Sequence, residues 1–258
     1  MSSTVVFQPC PANLETTLNF EFGAPLCIRR HGRQFQSHDV DVVGLQTQMC
    51  AEVGLYGDID TFAAFFHPAG FGALFGMPVS ELLNQSCELT SILGWRVRSL
   101  WNEMGESSSF SGRVCILERF LRERASCAPY GDTIVVAANH LIASHGNVRM
   151  PDLARQCGFG LRHFERRFRA TMGVTPKQFA RVARFQTALD TKVAFPRRSW
   201  LDIAHTLHYH DQMHMIHDFQ RLGGDSPGRL IEQLGDMRPL ALAPANESNS
   251  DVNFLLAA

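Results

Sequence analysis

Hydrophobic residues follow two different rhythms along this chain. Between residues 5 and 66 they form short apolar runs, such as VDVVGL at 40–45 and TFAAFF at 61–66. Gly23-Ala24-Pro25, Gly32, Gly44, Gly54 and Gly57 separate these runs at turn-like intervals. This rhythm predicts short antiparallel strands in a small barrel or sandwich. From about residue 78 the spacing becomes helical. Pro78, Ser80 and Glu81 predict a helix start, and apolar residues recur with helical period over 89–104 and 113–124, where Val114, Leu117 and Leu121 share a face. Residues 107–109 and 126–131 read as loops, the second dividing the chain into two domains. The polar, small-residue stretch PANESNSDVN, within the segment from residue 243 onward, predicts a disordered tail.

An internal repeat occupies residues 150–231. Its first copy reads MPDLARQCGFGLRHFERRFRATMGVTPKQF and its second WLDIAHTLHYHDQMHMIHDFQRLGGDSPGRL. Phe168 and Phe219, Gly173 and Gly224, and Pro176 and Pro227 each lie 51 residues apart, whereas Ala154 and Ala204 lie 50 apart. The second copy therefore has one extra residue in its turn. Each copy has the parts of a helix-turn-helix. A short helix places a small residue, Ala154 or Ala204, where two helices approach closely. Gly158 permits a tight turn with positive φ. A second helix follows over about 161–172, with Phe164 and Phe168 on its inner face and Arg162, Arg166 and Arg169 on its outer face. Gly173 ends that helix. Thr175-Pro176-Lys177-Gln178 then opens a connecting helix of roughly 176–193.

These residues resemble the AraC/XylS family of bacterial transcription regulators. The resemblance is carried by A-x-x-x-G-F, the F-x-x-x-F helix, G-V-T-P, the connecting helix and the closing D-F-Q-R-L-G-G-D-S-P, and covers about 110 residues. It implies two recognition helices in successive major grooves of double-stranded promoter or operator DNA, about one helical turn apart, roughly 34 Å. By motif position the first recognition helix offers Arg162, His163, Glu165 and Arg166 to bases, with Arg167 and Arg169 nearer phosphates. The second offers Gln212, Met213, His214, Ile216 and His217. Arginine can bond guanine bidentately and glutamate can accept from cytosine, so the first set is well suited to base reading. The second copy departs from the pattern: His208 replaces the turn glycine, Met215 the inner aromatic or leucine, and His217 an arginine. Gly160 stands where the family usually has a hydroxyl cap before the first recognition helix. HPAGFGALFGMPVSELLNQ at 67–85 further resembles a segment of the sensor-like N-terminal domains of one branch of the family, as does Gly44.

The expected fold is therefore α+β: a strand-rich, small barrel-like N-terminal domain followed by helices, then an all-α C-terminal domain with two helix-turn-helix units. The expected domains are 1–126 for sensing or dimerisation, 127–235 for DNA binding, and 236–258 as a tail. RNA polymerase, a small-molecule effector and a second copy of the chain are the further partners implied.

Charge sharpens the division. The net charge of −1 conceals 9 basic against 13 acidic residues over 1–130 and 15 against 10 over 131–240. A basic half suits a polyanion-binding module joined to something else. Only Lys177 and Lys192 are lysines; the other 22 basic residues are arginines, which suits planar, bidentate recognition. Seven scattered cysteines without a C-x-x-C pair predict reduced thiols. Neither a signal peptide nor an apolar run of about 18 residues is legible, so the expected location is cytoplasmic and nucleoid-associated, with no membrane partner.

Candidate enzyme chemistry is sparse. No G-x-S-x-G, phosphate-binding loop or dinucleotide fingerprint occurs. His205, His208, His210, His214 and His217 place several imidazoles together, without H-E-x-x-H or a neighbouring cysteine or acidic ligand set. Protonation of these histidines would instead strengthen phosphate binding. His31 and His38 lack a third partner for a barrel metal site. No cofactor, metal or catalytic residue is assigned. The rival reading is a metal-dependent small-barrel enzyme fused to a DNA-binding domain.

Overall fold

The computed structural model describes residues 5–125, 132–235 and 255–257. The N-terminal half contains two open sheets rather than a closed barrel. One joins β1 (Val6–Cys10), β6 (Ala51–Leu55), β3 (Cys27–Arg30) and β4 (Arg33–Gln36) in that order. The other runs β8 (Ser86–Glu88), β5 (Val40–Val43), β2 (Thr16–Glu21), β7 (Thr61–Phe66) and β9 (Leu255–Ala257). Neighbouring strands are antiparallel except β7 and β9, which are parallel. Barrel closure would require the edge strands to pair with one another; here each sheet keeps its own edges.

The apolar periodicity after residue 67 becomes α1 (Gly70–Phe75), α2 (Leu89–Leu93), α3 (Trp95–Glu106) and α4 (Phe110–Ala125). Two expectations change. The helix start at Pro78 yields only a single 3-10 turn, Val79–Glu81. The helical run at 89–104 is two helices broken at Gly94, whose φ of 66° and ψ of −145° lie outside helical backbone. These helices cover one face of the second sheet. Leu18, Phe20, Val42 and Phe66 of the strands pack there against Phe71, Val97, Leu100 and Leu117. Phe66 and Phe71 meet edge to face at 5.4 Å.

The described residues 132–235 form helices and their connections: α5 (Thr133–Ala143), α6 (Met150–Gln156), α7 (Leu161–Met172), α8 (Pro176–Ala194), α9 (Trp200–Thr206), α10 (Gln212–Gly223) and α11 (Pro227–Leu234). Helix α8 is its axis. Its 19 residues span about 28 Å at 1.5 Å per residue. Phe179, Val182, Phe185, Ala188 and Leu189 are buried along it. Thr175 caps its start by accepting from Gln178 N–H at 3.2 Å, and Pro176 occupies the first turn where no intrahelical donor is needed.

A second hydrophobic cluster spans both halves. Ala12, Leu14 and Leu45 belong to the same buried cluster as Phe179 and Phe219. Ala12 N–H donates to Leu222 O at 2.8 Å, tying the strand-rich half to the end of α10. The expected domain boundary after residue 126 lies outside the described residues. So does most of the expected tail, of which Leu255–Ala257 is a short strand on β7.

Candidate nucleic-acid interface

Both copies of the repeat fold as helix, tight turn, helix. In the first, α6 buries Leu153 and Ala154, and Phe159 N–H closes the turn onto Ala154 O at 2.9 Å. In the second, α9 buries Ile203 and Ala204, and Tyr209 N–H closes onto Ala204 O at 3.0 Å. The pairs Gly158/His208 and Phe159/Tyr209 are thus equivalent at an offset of 50. The caps Gly160 and Asp211 are equivalent at an offset of 51, so His210 is the extra residue. It lies exposed on the outer side of the turn.

Helix α7 is strongly two-sided. Phe164 and Phe168 are fully buried, 5.6 Å apart, and Phe168 meets Phe179 of α8 edge to face at 5.4 Å. On the outer face Arg162, His163, Glu165, Arg166, Arg167 and Arg169 are all exposed. Helical spacing explains the sorting: residues 164 and 168 lie one turn apart, as do 162, 166 and 169 on the opposite side. Two of the outer residues are steadied by the turn. The Arg167 guanidinium sits 5.3 Å from the Phe159 ring centre, and the His163 ring lies 4.9 Å from the same ring. Motif position gives Phe159 no such role in positioning the outer face; its half-buried aromatic ring beside an arginine-rich helix was the signal available.

Helix α10 uses different chemistry on the same scaffold. Met215 takes the place of Phe164 and is fully buried, while Phe219 packs between Phe185 at 4.8 Å and Trp200 at 5.2 Å. Gln212, Met213, His214 and His217 are exposed, but Ile216 is half-buried and presents less surface than its neighbours. Asp211 caps this helix, accepting from His214 N–H at 2.7 Å, whereas Gly160 makes no side-chain cap to α7. His210 Nδ1 lies 3.0 Å from Asp211 Oδ2, and these contacts hold the Asp211 carboxyl below its ordinary range.

The residue matching Arg167 in the second copy is Asp218, and it turns inward. Its carboxylate is buried and accepts from Arg181 Nε of α8 at 2.5 Å. An outer cation in one unit is therefore replaced by an inner ion pair that locks the other unit to the connecting helix. Sequence spacing alone did not reveal this pair, because Arg181 and Asp218 lie on different elements.

The two faces differ in charge. Helix α7 exposes four arginines and one glutamate, while α10 exposes Arg221 and histidines. The histidines do not converge: among the described residues, no three His, Cys, Asp or Glu side chains are grouped to hold a metal ion. His31 lies at the β3–β4 turn with φ 49°, and His38 Nδ1 lies 2.8 Å from Asp41 Oδ1.

Residues 153–233 match a helix-turn-helix domain family. No curated protein matches the chain. Its overall fold is similar to that of ToxT from Vibrio cholerae. One crystal structure of that protein superposes with a TM-score of 0.52 at 9% identity, covering 90% of this chain and 94% of the other. A second superposes at 0.51 and 8% identity, covering 89% and 94%. At such identities the likeness is one of fold.

Proposed function

Because its C-terminal half is a double helix-turn-helix domain of the AraC/XylS type, we propose that this chain is a sequence-specific transcription regulator whose two repeat units grip adjacent major grooves of one duplex. The observation that carries the reading is the repeat itself: two outer helices on one largely buried connecting helix, each with an apolar inner face and a polar outer face. Non-enzymatic regulation is the function assigned. The N-terminal domain supplies effector sensing, dimerisation or both, with 1–126 and 127–235 as the working units and 236–258 as a tail. No helix among the described residues is long and apolar enough to cross a membrane.

In this reading Arg162 and Arg166 contact base edges, with Glu165 and His163 beside them, and Arg167 and Arg169 engage phosphates. Gln212, Met213, His214, Ile216 and His217 face the second groove with less charge. Base reading is accordingly concentrated in the first unit. Contacts to RNA polymerase follow from operator position.

Electrophoretic shifts in the presence of excess random duplex test the proposal. Specific complexes survive the competitor, and Arg166→Ala costs about 1–3 kcal/mol while relaxing preference at one base position. Binding that random duplex abolishes, or that ignores Arg166→Ala, sinks the assignment.

A further inference from the structure

Between the two sheets of the N-terminal half lies a cavity of about 750 Å³ whose walls differ sharply in chemistry. One wall is the inner face of β2. Successive strand residues point to opposite faces, so Leu18 and Phe20 join the core under the helices. Glu15, Thr17, Asn19 and Glu21 line the cavity instead, in a polar file about 20 Å long at 3.3–3.4 Å per residue. The facing wall is mostly aliphatic, from Ile28, Val53 and Leu55, with Arg30 at one end of its strand. Leu189 of the connecting helix α8 also lines the cavity.

The polar file has too many acceptors. Glu15 is 3% exposed, and its carboxylate accepts from Gln186 Nε2 of α8 at 2.9 Å. Glu21 is 5% exposed and accepts from the Thr61 hydroxyl. Gln186 and Thr61 are neutral, as are the Leu14 and Glu15 backbone groups that also bond the Glu15 carboxyl. Gln46, 6% exposed, donates from Nε2 to Gly44 O at 3.1 Å, which fixes its amide orientation and leaves Oε1 without a hydrogen-bond partner among the described residues. Asn13 Oδ1, also on the cavity wall, has none either. Buried acceptors without donors cost free energy, and buried carboxylates call for cations. The cations in the wall are engaged elsewhere. Arg113 is neutralised by Asp60 at 2.6 and 2.7 Å, and Arg30 Nη2 donates to Asn84 O and to Gln85 Oε1. Asp41 is met by His38.

We propose that this cavity binds a linear aliphatic polyamine, its ammonium groups along the Glu15–Glu21 file and its methylenes against Ile28, Val53 and Leu55. Ammonium is a pure donor, and paired with carboxylate it makes the strongest class of hydrogen bond available here. A tetraamine suits the length of the file; a short diamine engages one end only. Burial pushes Glu21 up to about 7 and raises Glu15 as well, so ammonium groups entering the cavity displace protons from the carboxyls. At the Glu15 end the ligand reaches Leu189 directly and Gln186 through the Glu15 carboxylate, both on the helix that joins the DNA-binding units. Polyamine occupancy would therefore be felt by α8. This identification of the effector class rests on the reading of the N-terminal half as a sensor.

Calorimetric titration of the full chain, without DNA, with spermine, 1,4-diaminobutane and a straight-chain alkyl carboxylate tests it. Spermine binds saturably and more tightly than the diamine. Glu21→Gln and Glu15→Gln each weaken it about tenfold, the loss of one charge-assisted contact, while the surface variant Glu232→Gln leaves it unchanged. Glu21→Gln keeps the test valid if Glu15→Gln perturbs the domain contact. No saturable spermine binding, binding indifferent to both variants, or preference for the carboxylate overturns the proposal. Specific DNA binding measured separately distinguishes the two readings. Its retention without spermine binding removes only the polyamine, and its loss with spermine binding intact removes only the regulator.

Discussion

Gly158 and His208 occupy the same position in the two repeat turns, and both hold left-handed backbone, with φ of 74° and 54°. The turn demands that geometry in each copy, because the next residue must return its N–H to the alanine of the preceding helix. Glycine adopts it freely, whereas an L side chain meets its own carbonyl at a cost of about 1 kcal/mol. His208→Gly is therefore expected to stabilise the protein by about 1 kcal/mol, a rise of about 2–4 °C in Tm for a chain of this size. Gly158→Ala should lose a similar amount. Thermal unfolding of the two variants checks the pair, and opposite signs are required.

Arg181 and Asp218 should be strongly coupled. Asp218 is 1% exposed at its side chain and Arg181 is 32% exposed, so removing either leaves an unmatched charge, partly screened on the arginine side. Asp218→Ala is expected to cost about 2–3 kcal/mol, and the double variant with Arg181→Met less than the sum of the singles. A double-mutant cycle from urea unfolding measures this. Additive losses would show that the pair contributes little to fixing α10 on α8.

Exchanging side chains between repeat positions should move binding strength between the units. Arg166 and His217 are equivalent at the 51-residue offset, and both are exposed. His217→Arg adds one cation to the second face and should steepen the salt dependence of DNA binding by about one unit of slope, with tighter binding at low salt. Arg166→His should do the reverse and relax base preference. Fluorescence anisotropy over a salt series reads both. Equal slopes for the two variants would argue that these faces do not meet DNA.

Stability should decline as pH rises from about 4 to 8. Asp190, half-buried beside Glu15, is pushed up to about 8 by burial and by that neighbour, and Glu21 is pushed up to about 7. Their unfolded values lie at 3.8 and 4.5, so within this window the folded chain binds more protons than the unfolded one. The stabilisation is full below the unfolded values and is lost as pH passes the folded ones. Asp60, held below its ordinary value by Arg113, acts in the opposite direction and only below about pH 4. Denaturant unfolding at pH 5.5 and 8.5 should favour the lower pH, and Asp190→Asn should flatten the difference.

The repeat was legible in sequence because its determinants are local. Alternation of Phe164 and Phe168 with Arg162, Arg166 and Arg169 fixes the two faces of a helix whatever surrounds it, and a tight turn needs positive φ at a set position. For the same reason β5 and β7 were legible as apolar runs, and the connecting helix as a capped segment with Pro176 at its start. Other features depended on residues far apart in the chain. A small-barrel rhythm does not say which edges pair, so two open sheets were not readable from strand lengths. Helix at Pro78 lost to a single turn, and Gly94 divided a run that apolar spacing alone continues.

What the sequence determined by itself is the double helix-turn-helix, since each unit is specified within about 30 residues. What only the tertiary structure decided is how the units are held and what lies beneath them. Asp218 matches the outer Arg167 by position, yet Arg181 draws it inward, and the polar file from Glu15 to Glu21 lies under a second sheet that strand spacing does not specify. The physical reason is that periodicity assigns a side chain to a face of its own element. What that face meets is set by contacts across tens to hundreds of residues, as between Glu15 and Gln186.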